Sequence, residues 1–112
     1  DVNAALTEEI FIKHIDNTFI LIENDRPLWR LYFSMITQKE VTDIAKSELL
    51  PKITPFITEM INFFKTKGHS NPMVTMRYFS ATMDGVKMQW LYDPENFPLK
   101  DIKQLIIKQF IL

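Results

Sequence analysis

The sequence predicts an all-α domain of about five helices, and three observations predict it. Two glycines in 112 residues are too few for a turn-rich β-protein. Nine Phe and six Met supply the bulky, adaptable interior that packed helices bury. Apolar residues recur every three or four positions, in segments separated by Pro, Gly or Asn-Asp.

The elements follow in order. Thr7 before Glu8-Glu9 has the form of a helix N-cap with acidic residues in the first turn. Phe11, Ile15, Phe19 and Ile22 then recur at helical spacing, so a helix is expected to about Glu23. Asn24-Asp25-Arg26 is a polar break, and Pro27 suits the first turn of the next helix. Leu28, Trp29, Leu31, Tyr32, Phe33, Met35 and Ile36 cover most of that helix's circumference, which predicts an enclosed core helix. From Gln38 to Ser47 the pattern is polar and weak. A helix starting near Asp43 is expected to be kinked or restarted by Pro51 and Pro55, with Thr54 as the cap of the restart. Phe56, Ile57, Met60, Ile61, Phe63 and Phe64 form its apolar arc, and Gly68 stops it. Pro98 is expected to open the last helix, where Leu99, Ile102, Leu105, Ile106, Phe110 and Leu112 make a wide apolar arc. Ile107 and Ile111 lie outside that arc.

The segment from Pro72 to Tyr92 is the most informative. Asn71 caps it, and Asp93-Pro94 ends it. At about 100° per residue, Met76, Phe79, Met83, Val86 and Trp90 share one stripe. Val74, Tyr78, Ala81, Gly85, Met88 and Tyr92 share the opposite one. A surface helix of a monomer needs one apolar stripe. Two predict packing on both sides, by its own domain and by a second copy.

Composition narrows the function classes. Apolar residues make up 46% of the chain, enough for one domain over residues 1–112 with a substantial core. A net charge of −1 gives no electrostatic footprint for nucleic acid or an anionic membrane. Without cysteine there is no disulfide framework, thiolate zinc site or thiol nucleophile. No stretch reaches the roughly 18 apolar residues of a membrane span, and no signal-peptide pattern is present. A cytoplasmic location is expected. Because the chain starts at Asp1 rather than Met, it is expected to be a fragment of a longer protein.

Four segments stand out in order: Arg26-Pro27-Leu28-Trp29-Arg30-Leu31, the stretch from Phe63 to Gly68, Ala81-Thr82-Met83-Asp84-Gly85-Val86-Lys87-Met88, and Asp93-Pro94-Glu95-Asn96-Phe97-Pro98-Leu99. Together they resemble the C-terminal regulatory domain of tetracycline-repressor (TetR) family transcription factors. The resemblance covers nearly the whole chain. It implies a bundle whose last two helices pair with their symmetry mates in a dimeric four-helix arrangement, and an inducer held among the helices. Nothing here resembles the helix-turn-helix domain with which such regulators begin, so no DNA-contacting residue is carried over. The implied role is the sensing and dimerising half of a regulator, with DNA bound only through the missing half.

No catalytic motif is present: no G-x-S-x-G, H-E-x-x-H or glycine-rich phosphate loop. His14 and His69 lie on different elements without motif partners; His69 reads as a solvated turn residue, His14 as either a flank residue or a polar handle in a pocket. Asp16, Glu23 and Asp25 read as solvated. No enzyme activity, metal or cofactor is expected. Ligand sites between helices are mostly apolar with a few placed polar groups. The candidates for such a site are Phe11, His14, Ile15, Phe19, Trp29, Tyr32, Phe33, Ile36, Phe56, Met60, Phe63, Met76, Phe79 and Met83, with Thr18 and Arg77 as further polar partners. The candidate dimer face is Val74, Tyr78, Ala81, Gly85, Met88 and Tyr92, with Ile102, Leu105, Ile106 and Phe110. A homodimer binding a small, mostly apolar effector is the expectation. The alternative is a constitutive helical dimerisation or partner-binding module with a filled core and no ligand.

Overall fold

The computed structural model describes residues 5–112 as six helices with no strand among them. They are α1 (Glu8–Asn24), α2 (Arg26–Met35), α3 (Lys39–Glu48), α4 (Leu50–Thr66), α5 (Pro72–Tyr92) and α6 (Leu99–Phe110). The all-α prediction holds, with one helix more than expected. That helix is α3, whose short, polar sequence carries little periodic signal and buries no residue.

Most helix boundaries lie where local chemistry places them. The Thr7 hydroxyl accepts from the Ile10 amide at 3.2 Å, and the Asn71 side chain accepts from the Val74 amide at 3.4 Å. Asp25, inside the break between α1 and α2, caps α2 by accepting from the Leu28 amide. At the end of α4, Gly68 takes φ +93, and His69 and Gly68 donate to the Phe64 and Lys65 carbonyls. This is the paired closure of a Schellman motif, with the His69 ring packed edge-on against Phe64 at 5.3 Å. His69 is therefore half-buried, contrary to the solvated turn expected for it. Pro98 sits one position before α6 rather than inside its first turn.

Two further expectations are overturned. Pro55 does not restart a helix. α4 runs through it from Leu50 to Thr66, with Pro51 in the first turn. A proline ring removes the bond to the residue four before it and crowds that residue's carbonyl, here Pro51 in the first turn, so the disturbance falls at the start of the helix. Thr54 lies within α4, and its hydroxyl donates back to the Leu50 carbonyl at 2.6 Å rather than capping an N-terminus. Nor is α2 an enclosed core helix: it buries no residue, and Leu28 and Leu31 are 55% and 54% exposed. Only Trp29 and Phe33 lean on the core, because this ten-residue helix meets just α1 and α5 closely.

The core is continuous and aromatic. Phe11 packs edge-on against Phe63 and Phe79, with ring centroids 5.1 Å apart in each pair. Phe64 and Phe110 extend this cluster towards α6, and Ile106 and Ile111 seal that side. Phe19, Ile22, Trp90 and Leu91 fill the other end, where Phe19 meets Trp90 at 5.5 Å. Edge-to-face pairs of this kind add about 0.5–1.5 kcal/mol each beyond the area they bury.

Arginine fixes α2 to the end of α5. Arg26 donates to the Trp90 carbonyl at 2.9 Å, and its guanidinium lies 4.6 Å from the centre of the Trp90 ring. Arg30 donates twice to the Leu91 carbonyl, at 3.1 and 2.9 Å. These carbonyls are among the last four of α5, which have no partner within the helix and sit at the negative end of its dipole. Asp16 pairs with Lys103 at 2.6 Å, joining α1 to α6, and Glu8 pairs with Lys67.

Candidate functional site

A cavity of about 270 Å³ opens where α1, α4 and α5 converge. Its floor is built from buried residues of all three: Phe11 and Ile15, Met60, and Phe79 with Met83. Ile53, Phe56 and Ile57 of α4 form one wall. Two polar strips border it. On α1, His14 and Thr18 stand four residues apart; on α5, Ser80, Asp84 and Lys87 follow at i, i+4 and i+7. The cavity therefore has an apolar floor and polar rims, as small-molecule sites commonly do.

Half of the expected pocket residues meet here: Phe11, His14, Ile15, Phe56, Met60, Phe79 and Met83, joined by Thr18. His14, expected as either a flank residue or a polar handle in a pocket, is exposed and stands at the cavity rim, with its ring 5.1 Å from Phe56. The others lie elsewhere. Phe63 and Met76 are buried in the core outside the cavity lining, and Phe19 packs on Trp90. Trp29 lies edge-on to Tyr32, and Ile36 is half-buried beyond the end of α2. Phe33 borders a separate open groove with Met88 and Tyr92, while Tyr32 lines a depression with Val41, Ile44 and Leu49 of the α3 region. Arg77 is exposed and does not line the cavity. Sequence reasoning missed Ile53, Ile57, Ser80, Asp84 and Lys87. The i, i+4, i+7 spacing of the last three beside Phe79 and Met83 was the available signal.

The charged rim is unevenly solvated. The Lys87 side chain is 21% exposed and the Asp84 side chain 68%. Lys87 Nζ lies 3.9 Å from Asp84 Oδ1, longer than a hydrogen bond. Burial pulls the Lys87 ammonium below its ordinary value, and the Asp84 carboxylate opposes this without cancelling it. Burial, followed by the same carboxylate, pushes the Tyr32 phenol above its ordinary value.

On α5 the two predicted stripes separate cleanly. Met76, Phe79, Met83 and Trp90 are buried, with Val86 half-buried, whereas Val74, Tyr78, Ala81, Met88 and Tyr92 are exposed. Gly85 is half-buried, and a Cβ built on it would meet nothing within 4 Å. The α6 candidates divide differently. Leu105 is exposed and Ile102 half-buried, but Ile106 and Phe110 are buried within the chain's own core. Those two are corrected from partner-facing to core: the ring of Phe110 is enclosed by Phe64, Tyr78 and Phe79. Tyr78 is held on the surface beside Phe110, its hydroxyl accepting from Gln109 at 3.0 Å.

No described helix is long and apolar enough to cross a membrane. Comparison with models of known protein families, with curated proteins and with solved structures found no match to this chain.

Proposed function

We propose that this chain is the effector-sensing and dimerising domain of a TetR-like transcriptional regulator. A small, largely apolar ligand occupies the cavity between α1, α4 and α5. A second copy covers the exposed stripe of α5 and the neighbouring exposed residues of α6. Ligand binding then changes DNA binding by an N-terminal domain outside these residues, by shifting the population of dimer geometries.

One observation carries the reading. α5 gives Phe79 and Met83 to the cavity while its opposite stripe, from Val74 to Tyr92, stands largely in solvent. Contiguous apolar surface of this kind is rare on soluble monomers. Because one helix borders both surfaces, a ligand that displaces it also changes the face offered to the partner.

Sedimentation equilibrium of the purified domain at micromolar concentration tests the assembly: a dimer is expected, and a persistent monomer overturns that half. Native mass spectrometry of the same protein tests the cavity. A dimer with no ligand, co-purified or added, favours the constitutive module instead. For the regulatory half, a bound ligand is expected to change the parent protein's operator affinity by about 5–150-fold. Unchanged operator affinity with every cavity ligand refutes it.

A further inference from the structure

We propose that the cavity takes a small single-chain carboxylic acid, with Lys87 holding the acid group and the apolar floor holding the chain. This rests on the ligand-binding reading above and names its ligand class.

The head-group site follows from Lys87. Its ammonium offers three donors, at the end of a side chain that is only 21% exposed. Among the described residues, Asp84 is the one carboxylate beside it, and at 3.9 Å that oxygen is too distant for a hydrogen bond. Asp84 itself stands mostly in solvent, so water rather than Lys87 satisfies most of its oxygen valence. A cation partly withdrawn from water and incompletely paired gains from an anion that reaches it. Among the described residues, the other groups lining the cavity supply no second carboxylate. Ser80 is neutral, α4 contributes only Ile53, Phe56, Ile57 and Met60, and His14 and Thr18 lie on the α1 rim. Lys87 is the one Lys or Arg in the lining.

The chain follows from the shape. The cavity is smaller than the roughly 300–1,000 Å³ of most drug-sized sites. It shares His14, Thr18 and Phe56 with a shallower depression that continues to Asn17 and Leu21. An extended chain can run from Lys87 across Met83, Met60 and Phe56 towards Leu21.

Octanoate and 1-octanol, equal in chain length, are the probes, titrated separately into methyl-¹³C-methionine-labelled protein. Met60 and Met83 line the cavity, whereas exposed Met73 and Met88 report binding elsewhere. Octanoate is expected to shift Met60 and Met83 and to bind at least about tenfold more tightly than octanol. Lys87→Met should erase that preference while leaving octanol binding and the thermal midpoint at or above wild type. Asp84→Asn, which removes the competing carboxylate, should tighten octanoate binding severalfold and leave octanol unchanged. Equal binding of acid and alcohol, or loss of octanoate binding in Asp84→Asn, overturns the acid assignment and leaves a ligand cavity standing. If neither probe moves Met60 or Met83, the cavity reading and this inference fail together.

Discussion

Gly85 separates what α5 needs as a helix from what it needs as an interface. It sits inside a 21-residue helix with ordinary helical backbone, and Gly68 has the one positive φ among the described glycines. A glycine there costs about 1 kcal/mol relative to alanine. Nothing among the described residues explains the cost, because an added Cβ meets open space there. Gly85→Ala should therefore stabilise the isolated protomer by about 1 kcal/mol, raising its thermal midpoint by about 4 °C. The proposed dimer responds in the opposite sense. In a two-fold interface the added methyl is present twice, and overpacking costs about 1 kcal/mol or more at each site. Two such costs raise the dimer dissociation constant about thirtyfold. Circular-dichroism melts at high dilution read the first effect, and sedimentation equilibrium reads the second. A variant that dimerises as tightly as wild type refutes the placement of the partner at Gly85. A lower midpoint in the dilute, monomeric sample refutes the account of the protomer itself.

Other substitutions test the packing and the charges. Phe11→Ala removes a ring that is 1% exposed and packed on Phe63 and Phe79, and should cost about 3–5 kcal/mol in urea unfolding. Arg30→Met deletes two hydrogen bonds to the Leu91 carbonyl and should cost about 1 kcal/mol by the same assay, with Arg26 retaining the Trp90 carbonyl. Lys87 titrates below its ordinary value in the folded chain, so between that lowered value and about 10.4 the unfolded chain binds more protons. Stability gained from Lys87 deprotonation thus rises with pH across that window, and the advantage of Lys87→Met over wild type should shrink as pH rises through it. Tyr32 has the opposite sign: its raised value makes the folded chain bind more protons just above 10.0, where stability should fall with pH. Urea melts of wild type, Lys87→Met and Tyr32→Phe over an alkaline pH series read both slopes.

What was legible in the sequence was whatever local chemistry decides. The caps at Thr7 and Asn71, the stop at Gly68 and the two stripes of α5 all depend on residues within a turn or two of each other. The cavity floor was legible for a related reason. Phe11 and Ile15, Phe79 and Met83 each recur at i, i+4, so the core-facing side of each helix could be read before the helices were brought together. The failures depended on tertiary neighbours. The apolar circumference of α2 resembles that of a core helix, yet whether Leu28 and Leu31 are covered depends on what packs there. Ile106 and Phe110 belong to the same apolar arc as Leu105, and periodicity does not say how far the core extends around that arc. Lys87 belongs to neither apolar stripe of α5, and a lysine at such a position ordinarily points to water. Its partial burial is a tertiary effect, at a cavity it lines together with residues of α1 and α4.

The two arginines of α2 bear on how the proposed sensor would work. α5 spans about 31 Å at the usual helical rise, long enough to connect cavity, partner face and α2 without an intermediary. Its C-terminal carbonyls are held by Arg26 and Arg30, so the Trp90–Leu91 end is anchored to α2 by four directed hydrogen bonds. Phe79 and Met83 lie two to three turns before that anchor, and Val74 and Tyr78 lie further still. The other half of α5 is held as well: Phe79 packs on Phe64 and Phe110, and the Tyr78 hydroxyl accepts from Gln109. In the proposed sensor, a ligand that pushes on Phe79 and Met83 would therefore act between two anchored stretches of the helix, and its displacement would be felt by α2 through the arginines and by α6 through Phe110 and Gln109.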